Sequence, residues 1–370
     1  FGYEAGYYIT TGTSNTALGY QALKGTTDTT ANNNTAVGHQ ALVANTTGAQ
    51  NTAVGLQSLY SNTTASSNIA IGYQAGYTNT TGTYVTGVGA YAVYSNTTGN
   101  IAAVGYQAGY SNTTGQANTA FGRYRPLYSN TTGSYNTAIG DNALHSTTTG
   151  THNTALGNTA GYTNTESGYN TFIGNAAGYN ANGSGATQLV YVGHNSGQQT
   201  TTATLNTGVG SQSLYSNTTG SQNTAIGYNA MQANTTGGSN TALGSQALDA
   251  NTTAGDNTGI GQSALTSTTT GAYNVGVGAY AGNTNATGQN NTLVGYRAGY
   301  TLNANNNTLI GTDAGYSTTG TDNTFLGKDS GNAITSGAKN TILGKYTGNN
   351  GGLDLRTSSN YIVLSDGDGN

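Results

Sequence analysis

The chain has 370 residues, of which 59 are Gly, one is Pro, and only 5% carry a charge. A typical soluble protein is about one quarter charged, so Asn, Thr, Ser, Gln and Tyr must keep this surface hydrated. A net charge of -4 with eight Lys and Arg provides no basic stripe and argues against nucleic acid as a partner. Cysteine is absent, which excludes disulfides and thiolate metal sites. No apolar stretch reaches the ~18 residues of a membrane span, so membrane insertion is not expected.

A short motif recurs along the whole sequence. Aligned on the glycine of Asn-Thr-Ala-aliphatic-Gly, twenty-one copies run from Gly2 to Gly344, and a degenerate copy has Ser365 in place of the glycine. Most intervals are 17 residues, and repeats this short are typical of solenoids, in which each copy forms one coil. We therefore predict a repetitive shaft over residues 1–349, followed over 350–370 by the degenerate last coil and a transition to a further C-terminal region.

Positions within a coil are given relative to this glycine, so that Val54 lies at position −1 of the Gly55 coil. Position −1 is largely β-branched, which favours strands, and position +3 is nearly always Ala or Ser. Stacked coils would place these two positions as ladders in a narrow interior. Frequent internal glycines, at roughly 1 kcal/mol each, exclude helices of ordinary length. The predicted fold is an all-β, parallel β-solenoid or β-roll of about 21 coils.

Position −2 is also apolar, which makes both faces of the strand apolar. Strands that are buried on both faces have continuous apolar sequences. We therefore expect the side chain at −1 to fill the interior of the coil and the side chain at −2 to face a partner chain in a homotrimer or filament. Later copies carry larger residues at −2, which would thicken that contact toward the C-terminal end. The position −2 residues on which this rests are Ala17, Ala36, Ala53, Ala70, Ala120, Ala138, Ala225 and Ala242, and then Leu293, Leu309, Phe325, Ile342 and Val363.

The motif Asn-Thr-Ala-(Val/Ile/Leu)-Gly, followed three residues later by Ala or Ser, resembles the Asn-Ser-Val-Ala-Ile-Gly repeats of trimeric autotransporter adhesin heads. That resemblance implies a trimer of parallel β-rolls. The version Tyr-Gln-Ala-Leu-Tyr-Ser-Asn-Thr-Thr-Gly, together with the closing stretch 340–370, resembles bacteriophage tail-fibre repeats. It implies an extracellular, cell-surface or virion location and a binding tip or trimerisation region beyond the shaft.

No catalytic, cofactor or metal site is expected, so the sequence does not indicate an enzyme. The histidines His39, His145, His152 and His194 share no common position in neighbouring coils, which favours a solvent-facing role over metal binding. The segment Gly276–Gly282 has the glycines of a dinucleotide loop but no following helix pattern. Asp366, Asp368 and Asn370 resemble the start of a calcium loop, but the remaining ligands are absent.

An asparagine ladder at position +7 offers two interpretations. Each member lies in Asn-Thr-Thr and so matches the glycosylation acceptor pattern. Asparagine also tolerates left-handed turns and stacks its amide on the coil below, and we favour this structural interpretation. The residues are Asn45, Asn62, Asn79, Asn96, Asn112, Asn217, Asn234 and Asn251.

A tyrosine ladder at position +5 is the second repeated surface feature. Rings about 4.8 Å apart would stack from coil to coil, either to grip sugars or, as we favour, to pack at the turn. The residues are Tyr60, Tyr77, Tyr94, Tyr110, Tyr162, Tyr179, Tyr215, Tyr300 and Tyr316.

Three functions follow as hypotheses. The first is the structural shaft of an extracellular or virion fibre that presents a binding tip. The second is an adhesin whose lateral Tyr, Asn and Thr face binds cell-surface glycans, and the third, ranked lower, is an ice-binding solenoid.

The segment Arg123-Tyr124-Arg125-Pro126 lies in a copy of 18 residues. Because the nitrogen of proline cannot donate a hydrogen bond to a neighbouring strand, a loop or bulge is predicted there.

Overall fold

The computed structural model describes residues 1–26, 29–182 and 185–368. It is all-β, and the 17-residue repeat forms a parallel β-solenoid of about 20 turns. The described residues include no helix with the length and hydrophobicity of a membrane span. The contacts divide the chain into two units, Phe1–Gln188 and Leu189–Asn370, and the predicted boundary at residue 350 lies inside the second unit.

The described part of the first unit contains ten short strands, one per coil, which pair in parallel with the next in sequence. Identical motif positions face each other: Thr35 pairs with Thr52, Ala36 with Ala53 and Val37 with Val54. The strands are β1 (Thr16–Leu18), β2 (Thr35–Val37), β3 (Thr52–Val54), β4 (Ile69–Ile71), β5 (Thr86–Val88), β6 (Ile101–Tyr106), β7 (Asn118–Tyr124), β8 (Thr137–Ile139), β9 (Thr154–Leu156) and β10 (Thr171–Ile173).

The second unit repeats this arrangement and ends in an irregular coil. An antiparallel hairpin of β21 and β22 is inserted before β23, which returns to pair in parallel with β20. The strands are β11 (Val190–Val192), β12 (Thr207–Val209), β13 (Thr224–Ile226), β14 (Thr241–Leu243), β15 (Thr258–Ile260), β16 (Val275–Val277), β17 (Thr292–Val294), β18 (Thr308–Ile310), β19 (Thr324–Leu326), β20 (Thr341–Leu343), β21 (Asn349–Asn350), β22 (Leu353–Asp354) and β23 (Ile362–Leu364).

Backbone N–H groups after the glycine bond alternately to the coils on either side. In the Gly55 coil, the N–H of Gln57 at position +2 donates to the carbonyl of His39 in the preceding coil, at 2.9 Å. The N–H of Leu59 at position +4 donates to the carbonyl of Ala75 in the following coil, also at 2.9 Å. Both Gln57 and Leu59 have a positive φ, of 55° and 47°. This alternation satisfies the backbone in both directions and explains why left-handed residues recur at fixed positions.

The structure corrects the predicted orientation of the strand. The side chains at −2 point into the coil, where Ala36, Ala53 and Ala70 are fully buried, together with the predicted small residue at +3. The aliphatic side chains at −1 point outward: Ile71 is 40% exposed and Leu156 is 46% exposed. Position −1 therefore does not fill the coil, and position −2 does not face a partner. The large interior side chain is instead at +4, as in Leu59 and its equivalents.

Interior volume is shared between positions −2 and +4. Most coils that carry Leu at +4 have Ala or Gly at −2, whereas the coils with Phe172, Tyr191 and Phe325 at −2 have glycine at +4. A Cβ atom on Gly331, the +4 glycine of the Phe325 coil, would lie 2.4 Å from the Phe325 ring. The larger residues at −2 in later copies thus replace the missing +4 side chain, and they do not thicken a contact between chains.

The consensus glycine is required by both conformation and space. Gly227 has a φ of +141°, and a Cβ on it would meet the carbonyl oxygen of Gly244 in the next coil at 2.4 Å. Side chains rarely adopt such a φ, and the clashing atom is backbone, which cannot rotate away. The same close approach recurs along both units, as at Gly55, whose Cβ would lie 2.5 Å from the carbonyl oxygen of Gly72.

The predicted bulge at the Arg-Tyr-Arg-Pro segment is confirmed. Val104 of β6 pairs with Phe121 and Tyr106 pairs with Tyr124, so β7 contains one additional residue between the two pairs. The additional residue moves Pro126 into the small-residue position, where its carbonyl accepts the N–H of Gly109 at 3.0 Å. In other coils the N–H at this position donates only to the glycine of its own coil, so proline removes no bond between coils.

Candidate functional site

The outer face of the strands is uncharged along both units and carries an aliphatic row beside a row of mostly threonine. Positions −3 and −1 both point outward, and they are mostly Thr and Val, Ile or Leu, with no charged residue at either position in any copy. Among the most exposed aliphatic side chains at −1, the exposed fraction ranges from 37% for Ile226 to 75% for Leu364. Ten strands about 4.8 Å apart and about 10 Å long present roughly 500 Å² per unit. We call this surface the strand face.

The +7 asparagines form ladders inside the turn. Asn62 donates its amide to the side-chain oxygen of Asn45 at 2.9 Å and to the carbonyl of Ala65 at 3.1 Å. Asn234 and Asn251 continue the same pattern in the second unit, at 2.7 Å each. All eight predicted asparagines have no exposed surface. A glycan would have to replace both hydrogen bonds in the folded coil, so this geometry favours the structural ladder over attachment.

A second buried asparagine ladder, at position −4, was not identified from the sequence. Asn51 accepts the backbone N–H of Asn68 at 3.0 Å and donates to the carbonyl of Ala65 at 2.9 Å. Buried amides paired on both sides satisfy backbone groups that the tight turn leaves without partners. The signal was present in the sequence, because this residue is the first letter of the Asn-Thr-Ala-aliphatic-Gly motif itself.

The first +7 ladder ends at Asn130, because the next coil carries Thr147. The side-chain oxygen of Asn130 and the hydroxyl of Thr147 are both buried without a hydrogen-bond partner, as is the side-chain oxygen of Asn164 one coil further on. Asparagine at position 147 would donate to Asn130 and accept from Asn164. We expect Thr147→Asn to raise the free energy of unfolding by about 1–2 kcal/mol.

Chemical denaturation of the wild type and the variant measures this gain. The control is Thr149→Asn, since Thr149 lies two residues away in the same turn and is exposed. A gain of similar size in both variants would show that the ladder is not its source.

The +5 tyrosines of the first unit form a continuous stack. Tyr60, Tyr77 and Tyr94 lie 5.0 and 5.1 Å apart with nearly parallel rings, and Tyr110 follows at 5.1 Å. The members, in order, are Tyr60, Tyr77, Tyr94, Tyr110, Tyr128, His145, Tyr162 and Tyr179. Because each ring covers its neighbour's face, a sugar cannot enter between them. This arrangement favours packing over sugar binding for this part of the ladder.

Burial shifts the pKa of three members of this stack. It raises the pKa of Tyr77 and Tyr110, and burial followed by the nearby Arg125 lowers the pKa of His145. In the second unit Tyr300 and Tyr316 stack at 5.1 Å, whereas Tyr215 has Gln198 and Gln232 at its position in the adjacent coils.

Three of the four histidines, His39, His145 and His152, stack on tyrosine rings of adjacent coils. His39, His152 and His194 are exposed, as predicted, but His145 is half-buried in the tyrosine stack. Over the described part of the chain, no three His, Asp or Glu side chains group so as to hold a metal ion. Asp366 and Asp368 are described, whereas Asn370 of the predicted calcium-loop start lies outside the described residues.

Comparison with models of known protein families gives no match, and no curated protein has significant sequence similarity to the chain.

Proposed function

We propose that the chain is the structural shaft of an extracellular or virion fibre, in which three identical chains associate through their strand faces. The observation that carries this proposal is the uncharged strand face, whose threonine and aliphatic rows are partly or largely exposed along both units. Monomeric proteins rarely leave contiguous apolar patches larger than a few hundred Å² in water. The roughly 500 Å² per unit is of the same order as the ~800 Å² that each partner contributes to a standard interface.

A closed three-fold arrangement covers every copy of this surface. Identical rows of aliphatic side chains would meet around a central axis, and a parallel arrangement would keep equivalent coils at the same level. The regular fold also supports a mechanical role, because neighbouring coils are hydrogen-bonded through the backbone and, in runs of coils, also through buried amide ladders.

Charges placed on the strand face test the proposal. We expect the wild-type chain to sediment as a trimer and the double variant Ile226→Lys, Ile260→Lys to sediment as a folded monomer, because two ammonium groups per chain would have to be buried. The matched control is Ser211→Lys, Ser245→Lys at position +1, where Lys328 and Lys345 occur naturally. A wild-type chain that is folded and monomeric at micromolar concentration would exclude this mode of assembly.

A second candidate function concerns the same surface. Threonines at −3 lie in register from coil to coil beside the aliphatic row, as in the pairs Thr207 with Thr224 and Thr224 with Thr241. A flat, regular threonine and aliphatic surface is the kind that an ice-binding solenoid presents. A monomer that produces thermal hysteresis, with the effect lost in Ile226→Lys, Ile260→Lys, would support this function in place of assembly.

A further inference from the structure

A cleft on the turn side of the second unit differs from the closed tyrosine stack. It has a volume of about 340 Å³ and is lined by Tyr280, Tyr296, Arg297, Tyr300 and Tyr316, from three consecutive coils. This volume is at the lower end of the range for small-molecule sites, ~300–1,000 Å³. The ring of Tyr296 is not covered like those of the stack, and the residue is 47% exposed.

The side chain of Arg297 is fixed within this cleft. Its Nε and Nη2 atoms donate to the two carboxylate oxygens of Asp313, at 2.7 and 2.9 Å. The guanidinium carbon lies 4.8 Å from the ring centre of Tyr296 and 5.0 Å from that of Tyr316. A guanidinium has five N–H donors, so donors beyond these two bonds are left for a ligand. Because Asp313 balances the charge, the site favours a neutral ligand.

The tyrosine rings are also held in place. Tyr280 meets Tyr296 edge-on, with ring centres 6.3 Å apart and an interplanar angle of 82°, and Tyr300 stacks on Tyr316 at 5.1 Å. Rings that are already ordered lose little conformational entropy when a ligand binds. They combine apolar faces with hydroxyl groups that both donate and accept hydrogen bonds.

We propose that this cleft binds a neutral saccharide. The C–H groups of a pyranose ring pack on tyrosine faces, and its hydroxyls bond to the tyrosine hydroxyls and the remaining guanidinium donors. The first unit contains a related cluster: Tyr91 meets Tyr106 edge-on at 6.3 Å, and Arg125 lies 4.7 Å from the ring centre of Tyr124. The combination of an edge-on tyrosine and a stacked arginine thus occurs in both units.

Calorimetric titration of the intact chain with neutral methyl hexosides, chitotriose and glucuronate tests the proposal. We expect at least one neutral sugar to bind and Tyr296→Ala to weaken its affinity at least about tenfold. Tyr280→Ala should also weaken binding, which provides a second variant. The matched control is Tyr228→Ala, at the same coil position and 54% exposed, with Ser211 and Ser245 at that position in the adjacent coils.

Several results would overturn the proposal. The first is that no neutral sugar binds at about 10 mM, a concentration well above the ~1 mM dissociation constants of weak sites. The second is that Tyr296→Ala binds with an affinity within twofold of the wild type, or that Tyr228→Ala loses as much affinity as Tyr296→Ala. The third is that glucuronate binds more tightly than the neutral sugars. The readout does not depend on the assembly proposed above, because the substituted side chains lie outside the strand face.

Discussion

Replacing Phe325 with alanine should lower the free energy of unfolding by about 3–5 kcal/mol, the usual cost of removing a phenylalanine from a core. Phe325 is fully buried, and its ring occupies the space beside Gly331, which has no side chain of its own. Neighbouring backbone is held by hydrogen bonds to the coils on both sides, so the cavity cannot collapse easily. Denaturant unfolding monitored by circular dichroism measures the loss.

The reciprocal change provides a sharper test of the shared interior volume. Gly331→Leu alone should destabilise the fold, since a Cβ would lie 2.4 Å from the Phe325 ring. The double variant Phe325→Ala, Gly331→Leu reproduces the natural pairing of Ala242 with Leu248 and should recover to within about 1.5 kcal/mol of the wild type. If the two losses were simply additive, positions −2 and +4 would not share one cavity.

Replacing Gly227 with alanine should cost roughly 3 kcal/mol or more. A positive φ that side chains avoid costs ~1–3 kcal/mol, and overpacking against a rigid neighbour costs a further ~1–3 kcal/mol. The clash is with the carbonyl oxygen of Gly244, so relief requires separation of the two coils. A lowered denaturation midpoint measures the effect.

The control for this variant is Gly238→Ala. Gly238 does not have a positive φ, and a Cβ there would lie 3.0 Å from the carbonyl oxygen of Ser221, against 2.4 Å from that of Gly244 at Gly227. Alanine already occupies this position in other coils, at Ala49 and Ala272. We expect it to cost less than about 1 kcal/mol. Equal losses in the two variants would mean that glycine is needed for chain flexibility and not for close approach of the coils.

The sequence predicts much of this fold because its periodicity is strict. The coil length, the parallel solenoid, the buried small residue at +3 and the bulge near Pro126 all follow from spacing and from what proline and β-branched residues tolerate. The spacing did not predict which side of each strand is buried. Valine is more hydrophobic than alanine, which suggested that Val54 and not Ala53 would be buried, but only a small side chain fits beside Leu59 at position +4.

The pairing of −2 with +4 was the missed signal. Leucine at +4 accompanies small residues at −2, and every coil with Leu, Ile or an aromatic residue at −2 has glycine at +4, which indicates two side chains filling one space. The surface features were partly predictable. Ring stacking at +5 follows from the repeat spacing. Whether the rings are covered, as from Tyr60 to Tyr179, or leave a cleft, as near Tyr296, depends on residues at positions +1 and +2. The sequence of the +5 ladder alone does not reveal this.

The alternating backbone bonds have a consequence for how such a gene changes over time. Most coils within a unit present to their neighbours the same backbone donors and acceptors that they receive from them. Loss or duplication of one whole copy therefore joins two coils whose backbone hydrogen bonds already match, and the new junction resembles most of the old ones. A repetitive coding sequence is prone to slippage and unequal recombination. The number of coils can therefore change while the sequence of each remaining coil, and hence its fold, stays the same.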